Sequence, residues 1–275
     1  QGIHFFDFKK PEIVIKKIIR SSISDLICKG VLPKYYFISG SGNNRAFTKA
    51  NLSKLSHSLM EEQKKYKIFL CGGDTTFSNN LSFSITSVGF SKNIIFRNNA
   101  KSNDNIYITG NLGDSYIGLN ILKNKINIQK KYKNYFIKKY YLPDIQINLT
   151  KTLFKYANSS IDVSDCLIAD LDKMINKQKL SYVIYLDKIP ISQNLKRLIK
   201  KNKLNKSNLI SNGDDYQILF TASPNKARII QDVSKNFGIK ITKIGKFTSR
   251  NKKSIIIDQK GKQILIKIKG YSHKF

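Results

Sequence analysis

SSIDVSDCLIADLDK, residues 159–173, gathers Asp162, Asp165, Asp170 and Asp172 at one point of a strongly cationic chain. The whole sequence carries 49 Lys+Arg against 18 Asp+Glu, a formal net charge of +31. Behind the acidic residues, Leu167, Leu171, Met174 and Ile175 recur at helical spacing. The Asp pair before them therefore sits at a strand–loop–helix junction, where backbone turns can aim carboxylates into a crevice. A plainer reading is that Asp162 or Ser164 caps the helix, with Asp170 and Asp172 on its exposed face.

The same alternation of strand and helix extends in both directions. YYFIS (35–39) reads as a strand running into a turn-rich SGSGNN, and residues 47–66 as a helix. KIFLC (67–71) is a strand ending at Gly72-Gly73, and LSFSITSVGF (81–90) alternates like a strand with one buried face. NIYITG (105–110) precedes a helix capped by Asp114 and running to Leu122, and residues 134–156 are helical around a break at Pro143. Strands at 182–186, 216–223, 239–245, 254–258 and 263–269 are interleaved with helices at 191–201 and 224–236. The pattern predicts an α/β (α+β) fold of two domains, about 1–100 and 101–275.

A hydrophobic content of 41% with 11% aromatics indicates a globular chain, and no apolar run is long enough to cross a bilayer. QGIHFFDFKKPE at the start has no export-signal layout, so a cytoplasmic protein is expected. The sequence does not open on Met, which reads as a missing upstream segment. Cys28, Cys71 and Cys166 make no C-x-x-C pair, and Cys166 reads as a packed thiol. The charge alone would suit a nucleic-acid-binding protein. Yet 43 of the basic residues are Lys and 6 are Arg, spread evenly, which argues against dedicated phosphate and base recognition.

The acidic residues are 15 Asp and 3 Glu. Asp25 lies in SISDLICKG, Asp74 in CGGDTTFS, and Asp214 and Asp215 in NGDDYQILF. Carboxylates that converge repel one another, and hard oxygen donors without His or Cys suit Mg²⁺. GGDTT can also be an ordinary turn, and Gly40-Ser41-Gly42 lacks the Lys-Ser/Thr ending of a phosphate loop. With only His4, His57 and His273 available, general-base chemistry has few candidates. Phosphoryl transfer to an acceptor that is already a phosphate requires no base, only positioning and cationic clamps.

In order along the chain, QGIHF (1–5), SISDLICKG (22–30), CGGDTT (71–76), IYITGNLGDS (106–115), IDVSDCLIADL (161–171), NGDDYQILFT (212–221), ITKIGKF (241–247) and KGYSH (269–273) resemble the thiamine-monophosphate kinases. These belong to the aminoimidazole-ribonucleotide-synthetase-like, or PurM-like, superfamily. The resemblance implies a two-domain PurM-like fold, with an amino-terminal sheet-forming dimerisation domain and a carboxy-terminal α/β domain. It implies ATP-dependent, Mg²⁺-assisted conversion of thiamine monophosphate to thiamine diphosphate by a homodimer, with no specific nucleic acid and no membrane. Asp25, Asp74, Asp162 and Asp165 would bind Mg²⁺; Gly73, Asp74, Arg97 and Ser164 would contact ATP; His4, Asp214 and Tyr271 would face the thiamine substrate. The family's opening Gly-Asp-Asp-Ala motif would precede Gln1. Cys166 stands where the family has glycine, and Asp214 where it usually has Glu. A selenophosphate or aminoimidazole ribonucleotide synthetase is the alternative enzyme, and a basic nucleic-acid-binding protein the alternative without catalysis.

Overall fold

The computed structural model describes residues 2, 4–175, 178–202, 204–249, 253–265 and 270. Helix α1 (Pro11–Ile27) opens on a proline, whose missing N–H is not needed in a first turn. Strand β1 (Leu32–Gly42) leads to α2 (Lys49–Tyr66), where Thr48 accepts the Asn51 N–H at 3.2 Å as the N-cap. Strands β2 (Phe69–Phe77) and β3 (Ser82–Phe90) complete a three-stranded sheet. In it β1 is central, parallel to β2 and antiparallel to β3.

After Phe90 the chain passes to a second sheet. Its elements are β4 (Asn105–Thr109), α3 (Asp114–Leu122), α4 (Lys130–Tyr141), α5 (Thr150–Leu153), β5 (Ser159–Asp162), α6 (Leu167–Ile175) and β6 (Leu180–Tyr185). They continue with α7 (Gln193–Asn202), α8 (Lys206–Ile210), β7 (Ile218–Ala222), α9 (Ala227–Phe237), β8 (Ile241–Ser249) and β9 (Ile255–Ile257). The six strands lie in the order β5-β7-β4-β8-β6-β9, antiparallel except for β6 against β9.

One face of this large sheet buries Ile106, Ile108, Leu219 and Ile244 beneath Leu167, Leu171 and Met174 of α6. The other face packs Tyr107 and Phe220, stacked at 5.3 Å, with Ile19, Ile23 and Ile27 of α1 and Tyr36 of β1. Full burial of each of these isoleucines contributes about 1.5–3 kcal/mol. Helix α1 thus joins the small sheet to the large one, and its remaining face is free to carry polar groups toward the site. No helix among the described residues is long and apolar enough to cross a membrane.

The small sheet departs from the expected element ends. Gly40 and Gly42 belong to β1 rather than to a turn, because their missing side chains make room for the rings of Phe47 and Phe83 and for Leu81. Strand β2 likewise continues through the whole of GGDTT, with a register shift opposite Tyr36 and Phe37. A Cβ on Gly73 would overlap the Ile38 carbonyl, so the strands approach closely only with glycine there. Of the strand expected at 263–269, Gln263 makes an isolated bridge to Ile257, while 266–269 lie outside the described residues.

Candidate active site

Lys17, Ser21, Ser24 and Cys28 recur along one side of α1 at helical spacing. The Ser24 hydroxyl donates to Asp162 Oδ2 at 2.8 Å. Asp162 closes β5, is 2% exposed, and its carboxyl is pushed up to about 7. Burial is the main cause, the charge of Asp25 adds to it, and the Ser24 hydrogen bond opposes it. Asp25, one residue along α1, opens to the cavity, yet protein crowds its carboxyl and raises its pKa against the pull of Lys29 and Lys173. The two carboxylates therefore form a repelling pair.

The loop after β5 is organised from behind. Asp170, fully buried, accepts the backbone N–H groups of Ser164, Asp165 and Cys166 at 3.1, 3.2 and 3.3 Å. It is therefore not on an exposed helix face, and it rather than Asp162 or Ser164 satisfies the loop's donors. Lys173 spans the acids, 2.5 Å from Asp165 Oδ2 and 2.7 Å from Asp170 Oδ1. Cys166 is buried, and its Sγ accepts the Ala169 N–H at 3.3 Å.

A second loop, 212–217, is stitched to the first. The Asp214 N–H donates to the Ser164 carbonyl and the Tyr216 N–H to the Val163 carbonyl, both at 2.9 Å. The Val163 N–H returns a bond to the Gln217 carbonyl, also at 2.9 Å. Gly213 lies so close that a Cβ would overlap the Ser164 carbonyl oxygen. Asp214 and Tyr216 both take left-handed backbone angles, φ 69° and 50°. The neighbouring aspartates then part company. Asp214 faces the cavity, while buried Asp215 accepts the N–H groups of Gly113 and Ser115 at the start of α3. The cap of α3 is thus supplied by Asp215 and not by Asp114, whose carboxylate takes hydroxyls from Tyr135 and Ser192.

These loops and α1, together with Phe83 and Ile85 of β3 and Tyr116 and Leu119 of α3, line a cavity of about 780 Å³. It brings together His4, Asp25, Asp162, Ser164, Asp165 and Asp214 from the sequence-derived candidates. Gly73 and Asp74 are exposed on β2, and Arg97 is exposed in the segment between β3 and β4; none of the three lines the cavity. Tyr271 lies outside the described residues. Sequence reasoning missed Lys17, Ser24, Asp170 in its looping role, and Lys173. The intervals of four and three between Lys17, Ser21 and Ser24 place them on one side of α1, but Lys16, Arg20 and Ser22 in the same helix hide that pattern in the sequence.

Among the described residues no three His, Cys, Asp or Glu side chains stand together as a metal cage. The Asp25–Asp162 pair nevertheless suits Mg²⁺, which commonly uses one or two carboxylates and completes its shell with water and substrate phosphate oxygens.

Comparison with known proteins gives a consistent answer. The AIR synthase related protein, N-terminal domain, family matches residues 1–91. The thiamine-monophosphate kinase of Buchnera aphidicola subsp. Acyrthosiphon pisum is 35% identical, the match covering 99% of this chain and 84% of the relative. That of Escherichia coli is 32% identical, covering 99% and 83%. A solved structure described as AaThiL complexed with AMPPCP and TMP superposes with a TM-score of 0.86 at 27% identity, covering 100% of this chain and 84% of the other. With a PurM-like arrangement of two sheets and this degree of likeness over nearly its whole length, the chain belongs to the thiamine-monophosphate kinase family.

Proposed function

We propose that this protein transfers the γ-phosphoryl group of ATP to thiamine monophosphate, giving thiamine diphosphate and ADP. The observation that carries the reading is the meeting of Asp25, Asp162, Ser164, Asp165 and Asp214 in one cavity built by α1 and two stitched loops. An oxygen of the acceptor phosphate attacks the γ-phosphorus in line, and the bond from that phosphorus to the β-phosphate bridging oxygen breaks. The acceptor oxygen is already ionised at neutral pH, so the protein's task is placement and charge compensation.

Asp25 and Asp162 are the residues proposed to hold Mg²⁺, with Asp165 on the same wall. The ion would supply charge neutralisation on the transferring phosphates. Ser164 is proposed to meet ATP, and Asp214 and His4 the thiamine moiety, with the carboxylate of Asp214 complementing the positive thiazolium ring. Tyr271 remains a sequence-based proposal for the same role. Gly73, Asp74 and Arg97 are proposed to serve the nucleotide and its metal once two copies pair through their small sheets. Support for that homodimer comes from the exposed apolar side chains of this sheet, among them Phe37, Phe69 and Phe90. The two sheets are proposed to mark two domains, about 1–100 and 101–275, and the three unpaired cysteines favour the cytoplasm.

The test is an acceptor panel of thiamine monophosphate, selenide and formylglycinamidine ribonucleotide, assayed with labelled ATP and Mg²⁺. Thiamine diphosphate is the expected product. Product only from another acceptor, or none from any, overturns the assignment.

A further inference from the structure

Behind the cavity wall, against Asp214, lies a charge that the proposed reaction does not use. Lys17, on the polar side of α1, is only 2% exposed. Its ammonium lies 3.1 Å from Asp214 Oδ2 and 3.3 Å from the centroid of the Tyr140 ring. Burial lowers its pKa and the Asp214 charge opposes that shift. An enclosed ammonium is unfavourable unless paired, and an aliphatic side chain of the same length would fill this space without that demand. The carboxylate that faces it is 25% exposed, opens into the cavity, and accepts the Tyr216 hydroxyl on its other oxygen at 3.0 Å. One oxygen of Asp214 thus forms an ion pair with the buried ammonium, the other accepts the Tyr216 hydroxyl, and both keep lone pairs for a ligand. The left-handed backbone at Asp214 is the kind of conformation that persists only where surroundings hold it.

We propose that Lys17 is a positioning residue for acceptor binding: its ammonium fixes the Asp214 carboxylate in the orientation that meets the cationic ring of the acceptor. The inference rests on the reading of Asp214 as the residue facing that ring. Lys17 from behind and Tyr216 from the side hold the Asp214 carboxylate in one orientation, with its open edge toward the cavity. Acceptor affinity then depends on Lys17 only through Asp214.

The experiment is a double-mutant cycle of Lys17→Met, Asp214→Asn and the pair, with KM for thiamine monophosphate and for ATP measured separately. Lys17→Met is expected to raise the acceptor KM about tenfold while the ATP KM stays within about twofold. The double variant is expected to match Asp214→Asn alone. An unchanged acceptor KM in Lys17→Met, or a double deficit equal to the product of the two single ones, overturns the proposal. Should Lys17→Met fail to fold, the comparison of Asp214→Asn with the double variant, which strands no buried charge, decides by itself. Equal acceptor KM values support the proposal and a further rise refutes it. A wild-type protein that neither binds nor phosphorylates the acceptor removes the kinase reading and this one together, whereas turnover with an additive cycle removes this one alone.

Discussion

The Ser24 hydroxyl reaches Asp162 Oδ2 across 2.8 Å and so ties α1, a helix beside the small sheet, to the end of a strand in the large one. The bond favours the ionised form of a carboxylate that burial and Asp25 both disfavour. Ser24→Ala is expected to lower kcat/KM about tenfold, the loss typical of one hydrogen bond to a charged group. Steady-state kinetics at saturating Mg²⁺ would recover part of that loss if the bond acts through metal binding.

Asp162 also gives the metal-free protein a defined pH response. Its ordinary value is 3.8 and its folded value about 7. Below that window both the folded and unfolded chains hold the proton; within it only the folded chain does. The contribution of Asp162 to stability therefore falls as pH rises from about 4 to about 7. Urea midpoints in EDTA at several pH values should show this slope in the wild type and a flatter one in Asp162→Asn.

Arg20 and Glu62 form a buried fork between α1 and α2, with Nε–Oε2 at 2.9 Å and a second nitrogen–oxygen contact at 2.7 Å. Glu62→Gln strands the guanidinium and should cost about 3–5 kcal/mol of stability. Arg20→Met with Glu62→Leu should cost much less, and thermal melts of the three proteins would separate a stranded charge from lost packing.

Gly73→Ala tests whether that position serves the strand or only a phosphate. The added methyl overlaps the Ile38 carbonyl, so β1 and β2 must separate locally. A loss of about 2 kcal/mol or more is expected without any nucleotide present. Unchanged denaturation midpoints would refute a backbone role.

Phe69 is 53% exposed on β2 and Phe37 46% exposed on β1. Light scattering of the wild type should give twice the chain mass. Phe69→Lys with Phe37→Asp should give single chains at the same concentration, and a wild-type monomer would reject pairing through this sheet.

Much of this architecture was legible because alternating burial leaves a period of two in LSFSITSVGF and a helical period in 47–66. The ends of β1 and β2 were not, since glycine has no side chain with which to show a period, and SGSG and GGD read as turns. Asp170 was misplaced because spacing says which side of a helix a residue occupies but not that its carboxylate turns back to collect three backbone donors. Lys17 looked like one more solvated lysine among 43, and its partner Asp214 is remote in sequence. The acidic cavity was within reach because its residues fall in short motifs. The positions of Gly73, Asp74 and Arg97 outside its lining depended on how the small sheet is placed, which no local pattern encodes.

The packing of Gly213 against Ser164 leaves the two motif loops no slack: three backbone hydrogen bonds weld 163–164 to 214–217 into one plate. A lengthened side chain or an inserted residue in either segment would displace the opposite wall of the pocket as well. Re-engineering this enzyme for a bulkier acceptor would therefore demand concerted changes in both segments, and libraries that vary one at a time should yield mostly inactive proteins.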